Sequence, residues 1–436
     1  MSAAPTRRAI LSQAWPIMVA QASIPLVGIV DTAVIGRTGE ATALAAVALG
    51  STIVNFLFWA FGFLRMGMTG LTAQAVGAND GAEIAALLRR GLMLGGLLGA
   101  VLLILQSLLV PAALALMAGG GALDVATRTY VEARLLGAPA ALAFYAANGW
   151  LLGVGRTRAA LVVQLILNAA NIALTMLFVW QLDMGVRGVG LGTACADWIA
   201  VAAALWVTRA GWRGTAAALF DRAALARLFA VNRDLMIRTV ALLTLFGWFT
   251  NAGARLGAET LAAQQVLMQF VAVSAFILDG FCFTAEARVG AAIGARDRAA
   301  MLRATRLVGE FCLGTAILFA VLIAAGGEAF VALLTTSAEV RAIAAGLLPL
   351  VALVPLIGTP AWLLDGVFIG ATEGRALRDA ALASTAAYVL TDLALRPWGE
   401  VGVWIALLAG YGWRAIALGL FWPRLMRRLA PARAAP

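Results

Sequence analysis

One carboxylate, Asp31, interrupts an apolar run that reads PLVGIVDTAVIG over 25–36. An acid within a membrane-spanning segment costs about 2.5–3.5 kcal/mol on insertion scales and is by default a functional residue. Desolvation favours the neutral carboxyl group over the carboxylate. We therefore predict that Asp31 takes up and releases a proton. The alternative is a static hydrogen-bonding role in packing.

Further acids lie in other apolar segments. Asp279 and Glu286 are seven residues apart, so they share one face of a helix. Together with Asp365 they predict a second site, for an ion or a substrate, in the second half of the chain. Ion pairs that fix packing are the alternative, and Asp392 and Arg414 are predicted to form one such pair.

Aromatic and methionine side chains crowd the segment 56–68. Thioethers repack easily, and aromatic faces attract cations. Phe63 and Met66 are therefore predicted to line a pocket for organic compounds, with ordinary core packing as the alternative.

The composition indicates an integral membrane protein. Of 436 residues, 63% are hydrophobic and 12% are charged, against about 45–50% and about 25% in soluble domains. The absence of histidine removes the usual general base and metal ligand, and three scattered cysteines form no metal motif. We expect no cofactor, no enzyme activity and no nucleic-acid partner, and we expect the lipid bilayer as the surroundings.

Twelve apolar spans follow from the hydropathy pattern. They are predicted over 10–36, 44–76, 88–117, 126–154, 159–181, 187–208, 235–255, 260–292, 302–334, 340–371, 378–395 and 400–422. Residues 1–208 and 235–436 form two six-span lobes in this scheme, the second with a basic C-terminal tail. Residues 209–234 are predicted to be an amphipathic cytoplasmic linker.

The arginines predict the orientation of these spans. With the N-terminus in the cytoplasm, 22 of the 32 arginines fall on the inside, six on the outside and four within spans. The positive-inside rule then places both termini in the cytoplasm of a bacterial-type inner membrane.

The two predicted lobes repeat one another at a constant offset along the chain. Matching positions are Gly77 and Gly294, Asn148 and Asp365, and Leu44 and Leu261, and the separation is the same in all three pairs. Because each copy holds an even number of spans, the copies have the same orientation. Two parallel repeats with a cleft between them are typical of secondary transporters that work by alternating access.

The chain resembles the multidrug and toxin extrusion (MATE) family, and within it the DinF-like branch. The resemblance is carried by VDTAVIGRTG, NIALTMLFV and GVRGVGLGTACADW in the first half, and by NAGARLGAETLAAQQVLMQF, LDGFCFTAEARVGAAIGARD and LLDGVFIGAT in the second. It implies an all-α exporter of twelve transmembrane helices in two pseudo-symmetric lobes. Such proteins move organic solutes outward in exchange for protons or sodium.

The resemblance also assigns roles to residues. MATE proteins often carry an acid in the fifth span, in a pattern like N-x-x-L-D, and here Asn171 is retained while Thr175 stands where the acid would be. Asp197, one span later, is a candidate replacement. We therefore predict a coupling group of Asp31, Asn171, Thr175 and Asp197, while Asp365 resembles an acid used by sodium-coupled relatives.

The expected function is a monomeric antiporter that exports amphipathic or cationic compounds in exchange for protons. Two alternatives remain open from the sequence. One is sodium coupling through the acids of the second lobe, and the other is flipping of lipid-linked precursors.

Overall fold

The computed structural model describes residues 5–117, 120–209 and 221–429. All regular secondary structure in those ranges is helical. The helices are α1 (Arg7–Gly36), α2 (Ala41–Ala60), α3 (Phe63–Gly77), α4 (Gly81–Met117), α5 (Gly121–Leu135), α6 (Ala138–Gly153), α7 (Thr157–Met176), α8 (Gly185–Thr208), α9 (Arg222–Leu256), α10 (Ala258–Gly294), α11 (Arg298–Leu334), α12 (Ala338–Gly370), α13 (Gly374–Leu395) and α14 (Gly399–Arg428).

These helices account for the twelve predicted spans. Within the described ranges, ten segments are long and apolar enough to cross a bilayer, and α5 with α6, bent by 50°, make an eleventh. One of the ten, Gly374–Arg428, contains both α13 and α14. A helix of that length would extend roughly 80 Å, far beyond the hydrocarbon core of about 30 Å. It therefore holds two crossings, and the predicted all-α membrane fold is confirmed.

The repeat extends to the helix boundaries. Helix α4 begins at Gly81 and α11 begins at Arg298, which is the offset that relates Gly77 to Gly294, and both helices contain 37 residues. The pair α5 and α6 covers 121–153, and α12 covers 338–370, again at the same offset. The halves differ in continuity, because the second and fourth spans are interrupted after Ala60 and Leu135 while α10 and α12 run unbroken.

The predicted linker differs from what the structure describes. Residues 210–220 lie outside the described ranges. From Arg222 the chain is already in α9, which continues without a break to Leu256. The second part of the predicted linker is thus helical and continuous with the seventh span, and its place at the membrane surface stays a prediction.

The chain forms two compact units. One, here the N unit, consists of the described residues of Val19–Ala75 and Asp80–Arg227. The other, here the C unit, consists of the described residues of Met1–Met18, Val76–Asn79 and Leu228–Pro436. One boundary between the units falls within α1, between Met18 and Val19, and another, between Arg227 and Leu228, falls within the predicted linker. The core of the C unit contains aromatic contacts. The rings of Phe249 and Trp404 pack edge to face there, with their centroids 5.3 Å apart.

Candidate functional site

Helix α1 is hydrogen-bonded at three levels of the N unit to α7 and to the π-helical turn Leu177–Gln181 that follows α7. The bonds run from Asn168 Nδ2 to Ser23 Oγ (2.8 Å), from Thr175 Oγ1 to Asp31 Oδ1 (3.2 Å) and from Trp180 Nε1 to the Val34 carbonyl (3.2 Å). These bonds hold α1 against α7 on both sides of the acid. Asp31 is consequently positioned by helix packing and is only 5% exposed.

Two hydroxyl groups face the Asp31 carboxylate. Thr175 on α7 donates to Oδ1, and Thr193 on α8 lies 3.4 Å from Oδ2. The Thr193 hydroxyl has a single proton, and the Val189 carbonyl is a second acceptor for it at 3.2 Å. The proton of Thr193 can therefore turn toward Asp31 or away from it.

Asn171 completes this group. Its Nδ2 donates to Thr193 Oγ1 at 2.7 Å, and the residue lies within interaction range of Asp31. The Oδ1 atom of Asn171 is buried and has no hydrogen-bond partner among the residues that the structure describes. A protonated carboxyl group is a donor as well as an acceptor. Asn171 Oδ1 can thus accept from Asp31 in its neutral form, while the two threonines serve the ionised form.

A glycine allows α8 to approach α7 this closely. A Cβ atom at Gly192 would lie 2.7 Å from Thr175 Oγ1 and 2.8 Å from the Thr175 nitrogen. Only glycine at this position lets the backbones of α7 and α8 come so close together. The contact places Thr193, the next residue, beside Asp31.

Asp197 is joined to an arginine. Arg134 Nη1 lies 2.5 Å from Asp197 Oδ2, and both side chains are buried. The Arg134 guanidinium also packs over the Phe58 ring at 4.9 Å and lies within Coulombic range of Asp31. Among the described contacts Asp197 makes no hydrogen bond to Asp31, so it does not reproduce a direct pair of acids.

Sequence reasoning missed two members of this site. Thr193 lies within the quoted GVRGVGLGTACADW motif and four residues before Asp197, on the same helix face, which is a signal that could have identified it. Arg134 is one of the four arginines counted within the predicted spans, but its partner on α8 cannot be derived from spacing along α5.

The C unit contains a denser cluster of charges. Asp365 on α12 accepts hydrogen bonds from Arg238 at 2.5 Å and from Arg414. All three side chains are at most 9% exposed. The predicted pair of Asp392 and Arg414 is therefore wrong, because Arg414 reaches Asp365 instead.

Asp392 has other partners on α9. It accepts from Trp248 Nε1 at 2.9 Å and from Arg255 at 3.3 Å. Spacing along a helix identifies the face that a charge occupies, but not the neighbouring helix that packs there.

The remaining predicted acids gather around one guanidinium. Glu286 is 1% exposed and Asp279 is half-buried. Both lie within Coulombic range of Arg238. The three acids predicted for the second lobe are thus brought together, but around a fixed arginine that also binds Asp365.

The predicted pocket residues lie at the start of α3. Phe63 is buried, with its ring 5.9 Å from that of Phe61, and Met66 is half-buried. Their role in substrate binding stays a prediction.

Comparison with known proteins decides the family. The MatE family model matches residues 16–177 and 236–393, one segment in each repeat. Over 426 residues the chain is 36% identical to DNA damage-inducible protein F of Escherichia coli, covering 96% of this chain and 93% of that protein. The chain belongs to the MATE family. MATE proteins are transporters of drugs and toxins and not enzymes, so the predicted resemblance is confirmed.

Other relatives agree with this assignment. The chain is 31% identical to the probable multidrug resistance protein NorM of Deinococcus radiodurans, over 95% of this chain and 91% of that protein. The crystal structure of the Vibrio cholerae MATE transporter VcmN in its bent form superposes with a TM-score of 0.87 at 20% identity, covering 97% of each chain. A transporter of the MOP superfamily from Pyrococcus furiosus gives 0.84 at 18% identity, covering 98% of this chain and 97% of that one. These structures share the MATE fold with this chain.

Proposed function

We propose that this MATE transporter exports amphipathic, cationic organic compounds in exchange for protons, and that Asp31 is the group whose protonation couples the two movements. The observation that carries the proposal is the environment of Asp31. The acid is buried, and the side chains around it offer partners for both of its protonation states. A group that must change charge during transport needs this arrangement.

The hydrogen bonds suggest how protonation changes the N unit. When Asp31 is ionised, Thr175 and Thr193 donate to it. When Asp31 is protonated, its O–H can bind Asn171 Oδ1, and the Thr193 proton can turn to the Val189 carbonyl. The bonds between α1, α7 and α8 therefore differ between the two states. A proton can then shift a conformational equilibrium, because it binds the two arrangements with different affinity.

Substrate release follows from the same protonation of Asp31. A cationic substrate is attracted by the ionised acid and not by the neutral one. Protonation from the outside would therefore weaken substrate binding and favour the arrangement that opens outward. The proton gradient supplies the free energy for each cycle.

The charge cluster of the C unit favours protons over sodium. A sodium site built on Asp365 would require its oxygens, but Arg238 and Arg414 already donate to this carboxylate. Arg238 also lies near Glu286 and Asp279. The guanidinium groups of Arg238 and Arg414 thus offset much of the negative charge of the three acids. This cluster is therefore a poor binding site for sodium.

The setting is the inner membrane of a bacterial cell. The arginine distribution supports cytoplasmic N- and C-termini. We infer that a monomer carries the function, because Asp31, Asn171, Thr175 and Thr193 all lie in the N unit. The substrate class is supported by the relative named as a probable multidrug resistance protein.

The proposal is tested with purified protein in sealed vesicles and a fluorescent lipophilic cation. A pH gradient and a sodium gradient are imposed separately. We expect the pH gradient to drive accumulation of the cation, and the sodium gradient at equal pH to drive none. Transport driven by sodium alone would contradict the proposal and would move the coupling site to the acids around Arg238.

A further inference from the structure

Helices α9 and α13 of the C unit are joined by a regular seam. Its contacts are Arg378 Nη1 with Asp234 Oδ1 (2.9 Å), Thr385 Oγ1 with the Ala241 carbonyl (3.2 Å) and Trp248 Nε1 with Asp392 Oδ2 (2.9 Å). Residue numbers rise together on the two helices in steps of seven. The helices therefore run parallel, and their side-chain contacts repeat every seven residues.

An apolar groove follows this seam. Its volume is about 620 Å³, and its walls include Met236, Val240, Thr244, Leu382, Ala386 and Leu390. This volume lies in the range of roughly 300–1,000 Å³ that is typical of small-molecule sites. Val240 is 50% exposed and Leu390 is 67% exposed. In helices that cross a bilayer, exposed apolar side chains of this kind face hydrocarbon.

One end of the groove is basic. Arg233 lies three and seven residues before Met236 and Val240, so it continues the groove-lining stripe of α9. Arg375 lies seven residues before Leu382 and continues the stripe of α13. Both arginines are exposed.

The charges at this end do not cancel. Arg378 is bonded to Asp234 and Asp379, and Arg233 also lies 3.3 Å from Asp234. Arg233 and Arg378 thus meet two acids, and the neighbouring Arg375 leaves one positive charge in excess. That excess matches a singly charged phosphodiester.

We propose that this groove binds one anionic phospholipid, with an acyl chain along the seam of α9 and α13 and the phosphate beside Arg233 and Arg375. Arginines at the end of membrane helices attract anionic lipids over neutral ones. An apolar channel that begins at those arginines gives the chain of the same lipid a place to lie. The site is separate from Asp31 and does not depend on the coupling ion.

The test uses native mass spectrometry of the purified full chain after removal of lipid. Phosphatidylglycerol and phosphatidylcholine with identical acyl chains are added in parallel. We expect one phosphatidylglycerol to be retained in preference to phosphatidylcholine. The double substitution Arg233→Gln with Arg375→Gln should weaken phosphatidylglycerol binding by about fivefold for each arginine and leave phosphatidylcholine unchanged.

A second substitution tests the groove itself. Ala386→Trp places a large side chain in the groove and should reduce binding of both lipids. Its control is Ala383→Trp, an exposed position of α13 that does not line the groove. Arg298→Gln with Arg303→Gln removes two exposed arginines from α11, away from α9 and α13, and should have no effect.

Three results would overturn the proposal. They are equal retention of the two lipids by the unsubstituted protein, equal effects of Ala386→Trp and Ala383→Trp, and a dimer that is lost on Ala386→Trp, which would make a second copy of the chain the occupant. If Ala386→Trp does not yield folded protein, the arginine substitutions, which lie on the surface, still decide between the outcomes.

Discussion

Asp197 and Arg414 occupy corresponding positions of the two repeats, at the offset that relates Gly77 to Gly294, and carry opposite charges. Each is half of a buried ion pair, Asp197 with Arg134 and Arg414 with Asp365. The two partners lie on corresponding spans, Arg134 on α5 and Asp365 on α12, but at positions that do not correspond, because Asp365 matches Asn148 and not Arg134. The two halves therefore share a backbone plan, but their buried charges are arranged differently.

A second correspondence concerns the coupling acid. Asp31 and Thr175 are hydrogen-bonded, and so are Trp248 and Asp392, with the same separation along the chain in each pair. Trp248 is the position that corresponds to Asp31 in the second repeat, and Asp392 is the position that corresponds to Thr175. The acid lies on the first helix of one repeat and on the fifth helix of the other. In the second half the acid also meets Arg255, whereas the hydrogen bonds to Asp31 come from neutral hydroxyl groups.

The ion pair of Arg134 and Asp197 should stabilise the N unit only as a pair. Removing one member leaves the other charge buried, which costs about 3–5 kcal/mol. We expect Asp197→Asn and Arg134→Gln each to lower the thermal unfolding temperature strongly. The double variant should recover part of the loss. A double-mutant cycle from unfolding of purified protein measures this coupling, and additive losses would contradict it.

Thr175 should set the pH at which transport operates. Thr175→Val removes a donor to the ionised form of Asp31, a bond worth about 1.5–3 kcal/mol. The ionised form is destabilised, so the proton is released only at higher pH. The midpoint of the pH profile of efflux should move about one to two units in the alkaline direction.

The matched control for Thr175→Val is Thr305→Val. Thr305 bonds only to the Met301 carbonyl of its own helix in the described contacts. The midpoint of the pH profile of efflux should be the same in Thr305→Val as in the unsubstituted protein. An unchanged midpoint in Thr175→Val would show that this hydroxyl does not act on the coupling acid.

Gly192 should be required for the approach of α8 to Thr175. Gly192→Ala places a methyl group 2.7 Å from Thr175 Oγ1, so the helices must separate. We expect a loss of about 1–3 kcal/mol in stability from overpacking, together with loss of efflux. Gly96→Ala is the control, because a Cβ atom there meets nothing within 4 Å. Equal behaviour of the two variants in thermal unfolding and efflux assays would refute this role.

Much of this architecture could be predicted from the sequence. Apolar spans are long and regular, and the internal repeat was visible in three short matches because helix ends reuse the same glycines. The grouping of Asp31 with Asn171 and Thr175 could be predicted from the family resemblance. The partner of each buried charge could not, because it depends on how each helix is rotated against its neighbours. The pairing of Arg414 with Asp365, and not with Asp392, is the clearest example.

The most direct test of the account measures protons released by purified transporter when a cationic substrate binds. It uses a weakly buffered solution with a pH indicator. We expect the unsubstituted protein to release a proton on binding, and Asp31→Asn to bind substrate more weakly and, at saturating substrate, to release none. Asp183→Asn, which alters an exposed acid, should behave as the unsubstituted protein does. Undiminished proton release by Asp31→Asn would contradict the assignment of Asp31 as the coupling acid.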